Sequence, residues 1–188
     1  MGALPKEDRL FTYADYKSWE LADGERYELI CGEAYAMAAP NTRHQLILAE
    51  LLGRFYVYLE GKTCKVIPAP FDVRLFYEAD ESDGTVVQPD ISVICDKKKI
   101  GEEGGRGAPD IVIEILSPSN TVREMKRKLK LYQNAGVREY WVVDGDNNEI
   151  EAYRFGDSLG FQVYGNDAEI SSVVLPGLRI KLAQVFGV

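Results

Sequence analysis

Histidine occurs once in the 188 residues, at position 44, and cysteine three times, at 31, 64 and 95. One imidazole and three widely spaced thiols form neither a zinc pattern nor a disulfide framework. The thiols are therefore expected to be reduced, which points to a cytoplasmic setting. No run approaches the roughly 20 apolar residues of a membrane span. The opening, MGALPKEDRLF, lacks the basic-then-apolar order of a secretory signal. Lys6 also stands where a myristoylation signal requires Ser or Thr. Positive charge is scarce: 22 Lys and Arg against 30 Asp and Glu give a net charge of −8. That balance opposes non-specific coating of nucleic acid but leaves room for a local basic groove. No repeat, low-complexity tract or linker divides the chain, so one domain over 1–188 is expected.

What is present is a regular alternation of patterns. FTYADYKSWEL reads as a short helix behind a Thr cap, and RYELICGEAYAMAAP as a hairpin around Gly32. Asn41 or Thr42 can cap a long helix, with His44, Ile47, Leu48, Leu51, Phe55 and Tyr58 on one face. Strand-like runs follow at 65–68, 71–76, 88–94 and 110–116, the last two separated by the glycine-rich GEEGGRG, expected to be a flexible connection. Ser117, Pro118, Ser119 and Asn120 suit a turn and cap. VREMKRKLKLYQNAG suits a helix ended by Gly136. Strands at 139–144 and 149–155 flank the turn GDNN, and the tail offers short strands and an apolar turn. Together these give an α/β fold with a mixed sheet.

The charged residues inside the apolar runs are more informative. In GAPDIVIEILSPSN, Glu114 interrupts a run of Ile, Val and Leu. A buried carboxylate without a partner is costly enough that it neutralises or finds a cation. Two-residue alternation puts Asp110, Val112, Glu114 and Leu116 on one face of that strand. Asp90 follows Pro89 near the start of the neighbouring run. Two carboxylates in one sheet repel unless something positive joins them, and Mg²⁺, an oxygen-seeking cation, fits. On the following helix, Met125, Leu129, Leu131 and Tyr132 define the apolar face. Lys128 lies within roughly 50° of its centre, whereas Lys126, Arg127 and Lys130 are more than about 110° away. Glu124, one turn earlier, can pair with Lys128.

Plainer readings stand beside these. Glu114 can meet Lys128 or Arg74 in a buried ion pair, Asp90 can be a turn residue, and Lys128 can snorkel along the core edge. His44 can be a satisfied core histidine, and Asp72 a structural acid. Asp144 and Asp146 suit local turn bonding.

The segments RHQLILAEL, QPDISVI, GAPDIVIEILSPSN, KLKLYQNAGVREYWVVD and LPGLRIKL carry a resemblance covering most of the chain. The sequence resembles the Uma-type proteins, bacterial relatives of the PD-(D/E)xK nucleases that are often labelled restriction endonucleases. The resemblance implies a restriction-endonuclease-like fold, a central mixed sheet flanked by helices. It also implies a site of Asp90, Glu114 and a lysine that binds Mg²⁺ or Mn²⁺. Leu116 stands where the nuclease pattern requires lysine, and Lys128, four residues before Tyr132, matches a lysine moved to the next helix. His44 matches a histidine that commonly starts the long helix.

Two functions follow as expectations. In the first, a metal-dependent nuclease acts on DNA: Asp90 and Glu114 hold the metal with the Ile115 carbonyl, Lys128 positions water, and His44 contacts phosphate or moves a proton. Arg123, Lys126, Arg127 and Lys130 would contact backbone phosphates, and a homodimer would cut both strands. In the second, the fold is kept as a non-catalytic binding or regulatory module, as the acidic balance and the displaced lysine allow.

Overall fold

A computed structural model of the chain describes residues 9–117, 120–156 and 160–187. The readings placed on Lys6, Pro118 and Ser119 lie outside these residues. In chain order the elements are α1 (Tyr13–Lys17), β1 (Tyr27–Ile30), β2 (Glu33–Ala36), α2 (Thr42–Leu59), β3 (Lys65–Pro68), β4 (Val73–Arg74), β5 (Val86–Val87) and β6 (Ile91–Ile94). A 3₁₀ turn (Lys97–Lys99) leads to β7 (Gly105–Arg106), β8 (Ile111–Ile115), α3 (Val122–Ala135), β9 (Glu139–Asp144) and β10 (Glu149–Arg154). Then come β11 (Gly160–Gly165), β12 (Glu169–Ser171), β13 (Arg179–Lys181) and α4 (Ala183–Phe186).

The strands form a central six-stranded sheet in the order β11-β10-β9-β8-β6-β3, a five-stranded sheet β2-β1-β5-β4-β7, and the pair β12-β13. The central sheet is mixed, because β8 and β9 run parallel while its other neighbours are antiparallel. Strand β8 is buried on both sides, and its alternation sorts two cores. Ile111, Ile113 and Ile115 pack with Ile47, Leu51 and Phe55 of α2 and with the C-terminal segment. Val112 faces the other way, towards Leu131 and Tyr132 of α3 and towards Ile30, Val73 and Val87 of the five-stranded sheet. Glu114 shares that second face.

Local chemistry sets the ends of the elements. The side chain of Asn41 accepts the His44 N–H at the start of α2. Thr121 and Glu124 form a reciprocal capping box on α3, and Gly136 ends it at φ 89°. The cap thus falls on Thr121, one residue beyond the expected turn, whose Asn120 instead accepts the Ser117 N–H. Hairpin β1–β2 turns on Cys31 and Gly32, both at positive φ, the geometry of a two-residue turn matched to strand twist.

Three expectations change. The strands divide between two main sheets, because β5 pairs with β1 of the N-terminal hairpin and β4 with β5, and neither pairs with β6 or β8. The glycine-rich 101–107 is structured: β7 lies parallel to β4, and at Gly104 a Cβ would stand 2.4 Å from the Asp72 carbonyl oxygen. Cys64 and Cys95 are joined in a disulfide. The β3–β6 ladder ends at the Lys65–Ile94 pair, and its next outward step brings residues 64 and 95 together. Their spacing along the chain gave no sign of this, and the argument from reduced thiols to a reducing compartment falls away. Among the described residues no helix is long and apolar enough to cross a membrane.

One buried acid serves the fold alone. Glu139 is fully buried; its carboxylate accepts the Trp141 indole N–H at 2.8 Å, the Ser172 hydroxyl at 2.6 Å and the Val173 N–H at 3.0 Å. It fastens the C-terminal segment to β9. Glu139→Ala is expected to destabilise the protein by about 3 kcal/mol, read by urea unfolding, because several buried donors lose their acceptor together.

Candidate functional site

The β6–β8 ladder stops at Ile91–Ile113, and the next pair in that register would be Asp90 with Glu114. Asp90 leaves the ladder just after Pro89, which has no N–H to give. Its carbonyl accepts the Ala69 N–H at 3.1 Å. Its Oδ2 accepts the Ile115 N–H at 2.7 Å, a side chain standing in for a backbone acceptor. The same oxygen lies 3.1 Å from His44 Nε2, so the first turn of α2 is tied to the end of β6. The other imidazole nitrogen, Nδ1, is buried without a partner among the described residues.

Glu114 points towards α3, where residues 128 and 132 are one turn apart and share a face. Lys128 Nζ donates to Glu114 Oε1 at 2.9 Å, and the Tyr132 hydroxyl donates to the same oxygen. Lys128 also donates to Glu28 Oε1 on β1 at 3.0 Å. Glu28 in turn accepts the Gln88 N–H at 3.1 Å. The ammonium therefore joins α3 to β8 and to the distant β1. Asp90 Oδ1 and Glu114 Oε2 have no hydrogen-bond partner among the described residues. Both residues line a cleft of about 290 Å³ that also takes in Arg26, His44, Ile115 and Lys128.

Burial raises the Glu114 carboxyl above its ordinary 4.5; Lys128 opposes this, while Glu28 and Asp90 reinforce it. Burial works against the Lys128 ammonium, but Glu114 and Glu28 outweigh it and hold the amine protonated. Burial, followed by Glu114, likewise keeps the Tyr132 phenol neutral and a donor. Two carboxylates, Glu28 and Glu114, thus share one lysine, and Asp90 lies close enough to add to the negative charge on Glu114, an excess suited to a divalent cation. Two carboxylate oxygens without partners suit a hard ion such as Mg²⁺, which takes one or two carboxylates and completes its shell with water or substrate oxygen. Among the described residues no group of three or more His, Cys, Asp or Glu could enclose a metal. The donor set fits an open site, not a closed protein cage.

The family described as "Uma2: Putative restriction endonuclease" matches residues 13–183. The chain belongs to the Uma2 family. The uncharacterized protein slr1290 of Synechocystis sp. is 27% identical over 144 residues, 76% of this chain and 73% of that one. The crystal structure of a putative nuclease belonging to DUF820 from Anabaena variabilis superposes with a TM-score of 0.74 at 20% identity. That match covers 94% of this chain and 98% of the other, and it establishes the shared fold.

In this Uma2-family chain the residues singled out from sequence, Asp90, Glu114, Lys128 and His44, meet in one cleft, and Ile115 borders it. Several assigned partners differ. Glu124 is occupied in the helix cap and does not pair with Lys128. Arg74 binds Asp83, not Glu114. Arg127 stacks over Tyr35 with its guanidinium 3.8 Å from the ring centroid. Asp72 is structural, accepting from Tyr16 and Gln88. Asp144 caps its own turn through the Asp146 and Asn147 N–H groups.

Glu28 was missed. Its signal was present, an acid alternating with apolar residues in RYELI, the same pattern that drew attention to Glu114. Nothing local connects residue 28 with residue 128.

Because folded Glu114 binds its proton more tightly than the unfolded chain does, its contribution to stability falls as pH rises from 4.5 towards neutrality. Glu114→Gln removes this term. The stability difference between variant and wild type should therefore shift in the variant's favour with rising pH across that window. Thermal unfolding of the metal-free proteins at a series of pH values measures it.

Proposed function

We propose that the protein is a metal-dependent hydrolase of phosphodiester bonds in DNA. The observation that carries this reading is the convergence of Asp90, Glu114 and Lys128 on one open cleft, with one oxygen of each acid free. Asp90 and Glu114 would hold Mg²⁺ or Mn²⁺, with the Ile115 carbonyl as a further oxygen. When bound, the cation would supply Lewis-acid stabilisation of the phosphate and leaving oxygen. His44 holds Asp90 through Nε2 and so orients that ligand. Lys128 has three N–H donors, and two are engaged by Glu28 and Glu114. The third can orient an attacking water or meet charge developing on a phosphate oxygen. Tyr132 fixes the Glu114 carboxylate from within the core. One such centre per chain would nick a duplex, and a two-fold homodimer would cut both strands.

A specific observation favours a second reading, a nuclease fold retained for binding or regulation. The Glu28–Lys128–Glu114 bridge is satisfied internally without any ion. Supercoiled-plasmid nicking in Mg²⁺ and Mn²⁺, together with calorimetric titration of each metal, separates the two. The nuclease reading expects metal binding, and nicking reduced at least about 100-fold in Asp90→Ala, Glu114→Ala and Lys128→Ala. Nicking that survives all three substitutions belongs to a contaminant. Absence of metal binding by the wild type favours the second reading.

A further inference from the structure

Arg26 stands two residues before Glu28, and the β1–β2 pairing reaches it, since its carbonyl accepts the Met37 N–H at 2.8 Å. Two-residue alternation therefore puts the Arg26 and Glu28 side chains on the same face of the hairpin. Both line the cleft that holds Asp90, Glu114 and Lys128. Arg26 is half-buried, yet its guanidinium makes no hydrogen bond or ion pair among the described residues. The other cation lining the cleft, Lys128, is bound to two carboxylates.

These facts pose an electrostatic problem that Arg26 is placed to ease. Glu28, Asp90, Glu114 and Glu124 border the cleft, and together they repel a phosphodiester. A planar guanidinium with five donors and no partner among the described residues matches phosphate oxygens in charge and geometry. We infer that Arg26 grips a non-bridging oxygen of the substrate phosphodiester, so that the N-terminal hairpin supplies the anion-binding half of the site. This rests on the nuclease reading of the same cleft. Arg26 contacts substrate, whereas Glu28 acts through Lys128 and is a positioning residue.

Full-length Arg26→Gln and Arg26→Lys test it against the wild type. A fluorescent DNA duplex is titrated by anisotropy over a range of salt, alongside plasmid nicking, Mn²⁺ calorimetry and thermal unfolding. Loss of one phosphate contact should reduce the slope of log affinity against log salt by about 0.9 in Arg26→Gln. Nicking should fall about 100-fold, with partial recovery in Arg26→Lys, while Mn²⁺ affinity and the thermal midpoint stay unchanged. An unaltered salt slope and nicking rate would overturn the inference. So would a thermal midpoint lowered equally in both variants, which would assign Arg26 to the fold. A wild type that binds duplex without cleaving it, with the slope still reduced in Arg26→Gln, defeats the nuclease reading and leaves the phosphate contact standing. If the wild type binds no duplex, both fall.

Discussion

The Lys128 ammonium lies between Glu28 and Glu114, and the arrangement of the whole second core follows from that position. Two carboxylates brought towards each other in a buried layer repel, and the lysine turns that repulsion into a bridge. Three separate pieces of chain are constrained at once: the N-terminal hairpin through Glu28, the central sheet through Glu114, and α3 through Lys128 itself. A buried ion pair adds little net stability once the cost of stripping water from its charges is counted. Its consequence here is geometric. The helix must present residue 128 to the sheet at the level where β8 carries its acid, and the apolar side chains around it, Val112, Leu131 and Tyr132, fill in accordingly.

Glu139 and Glu114 show how two buried glutamates in one sheet reach different ends. The carboxylate of Glu139 is enclosed by an indole, a hydroxyl and backbone N–H groups and needs nothing more. At Glu114 one oxygen receives Lys128 and Tyr132, and the other is left at the edge of a cleft. Asp90 repeats that asymmetry, with Oδ2 serving Ile115 and His44. The polar groups that the fold leaves incomplete are the ones available to a ligand.

Much of the fold was legible because periodicity reports burial directly. The α2 stripe of His44, Ile47, Leu51 and Phe55 and the buried run of β8 around Glu114 both appear where the pattern placed them. Gly136 and Asn41 marked their helix ends through backbone chemistry that is local in sequence. The division into two sheets was not legible. Short strands such as β4 and β5 show two residues of pattern each, and that is too little to say which neighbour they join. The Cys64–Cys95 bond was hidden for a related reason, since strand register, not spacing along the chain, makes those residues neighbours.

From sequence alone came the candidates: an acid within a buried strand, an acid after a proline, and a lysine on the wrong side of its helix for solvent. Each was visible because a charged group in an apolar setting conflicts with its surroundings, and that conflict is local. Tertiary structure alone decided how the charges combine. It brought Glu28 across a hundred positions of chain to share Lys128, turned Glu124 to its own helix cap, and left Arg26 in the cleft without a partner among the described residues. Partnership between charges depends on distance in space, and packing of the sheets and helices sets that distance.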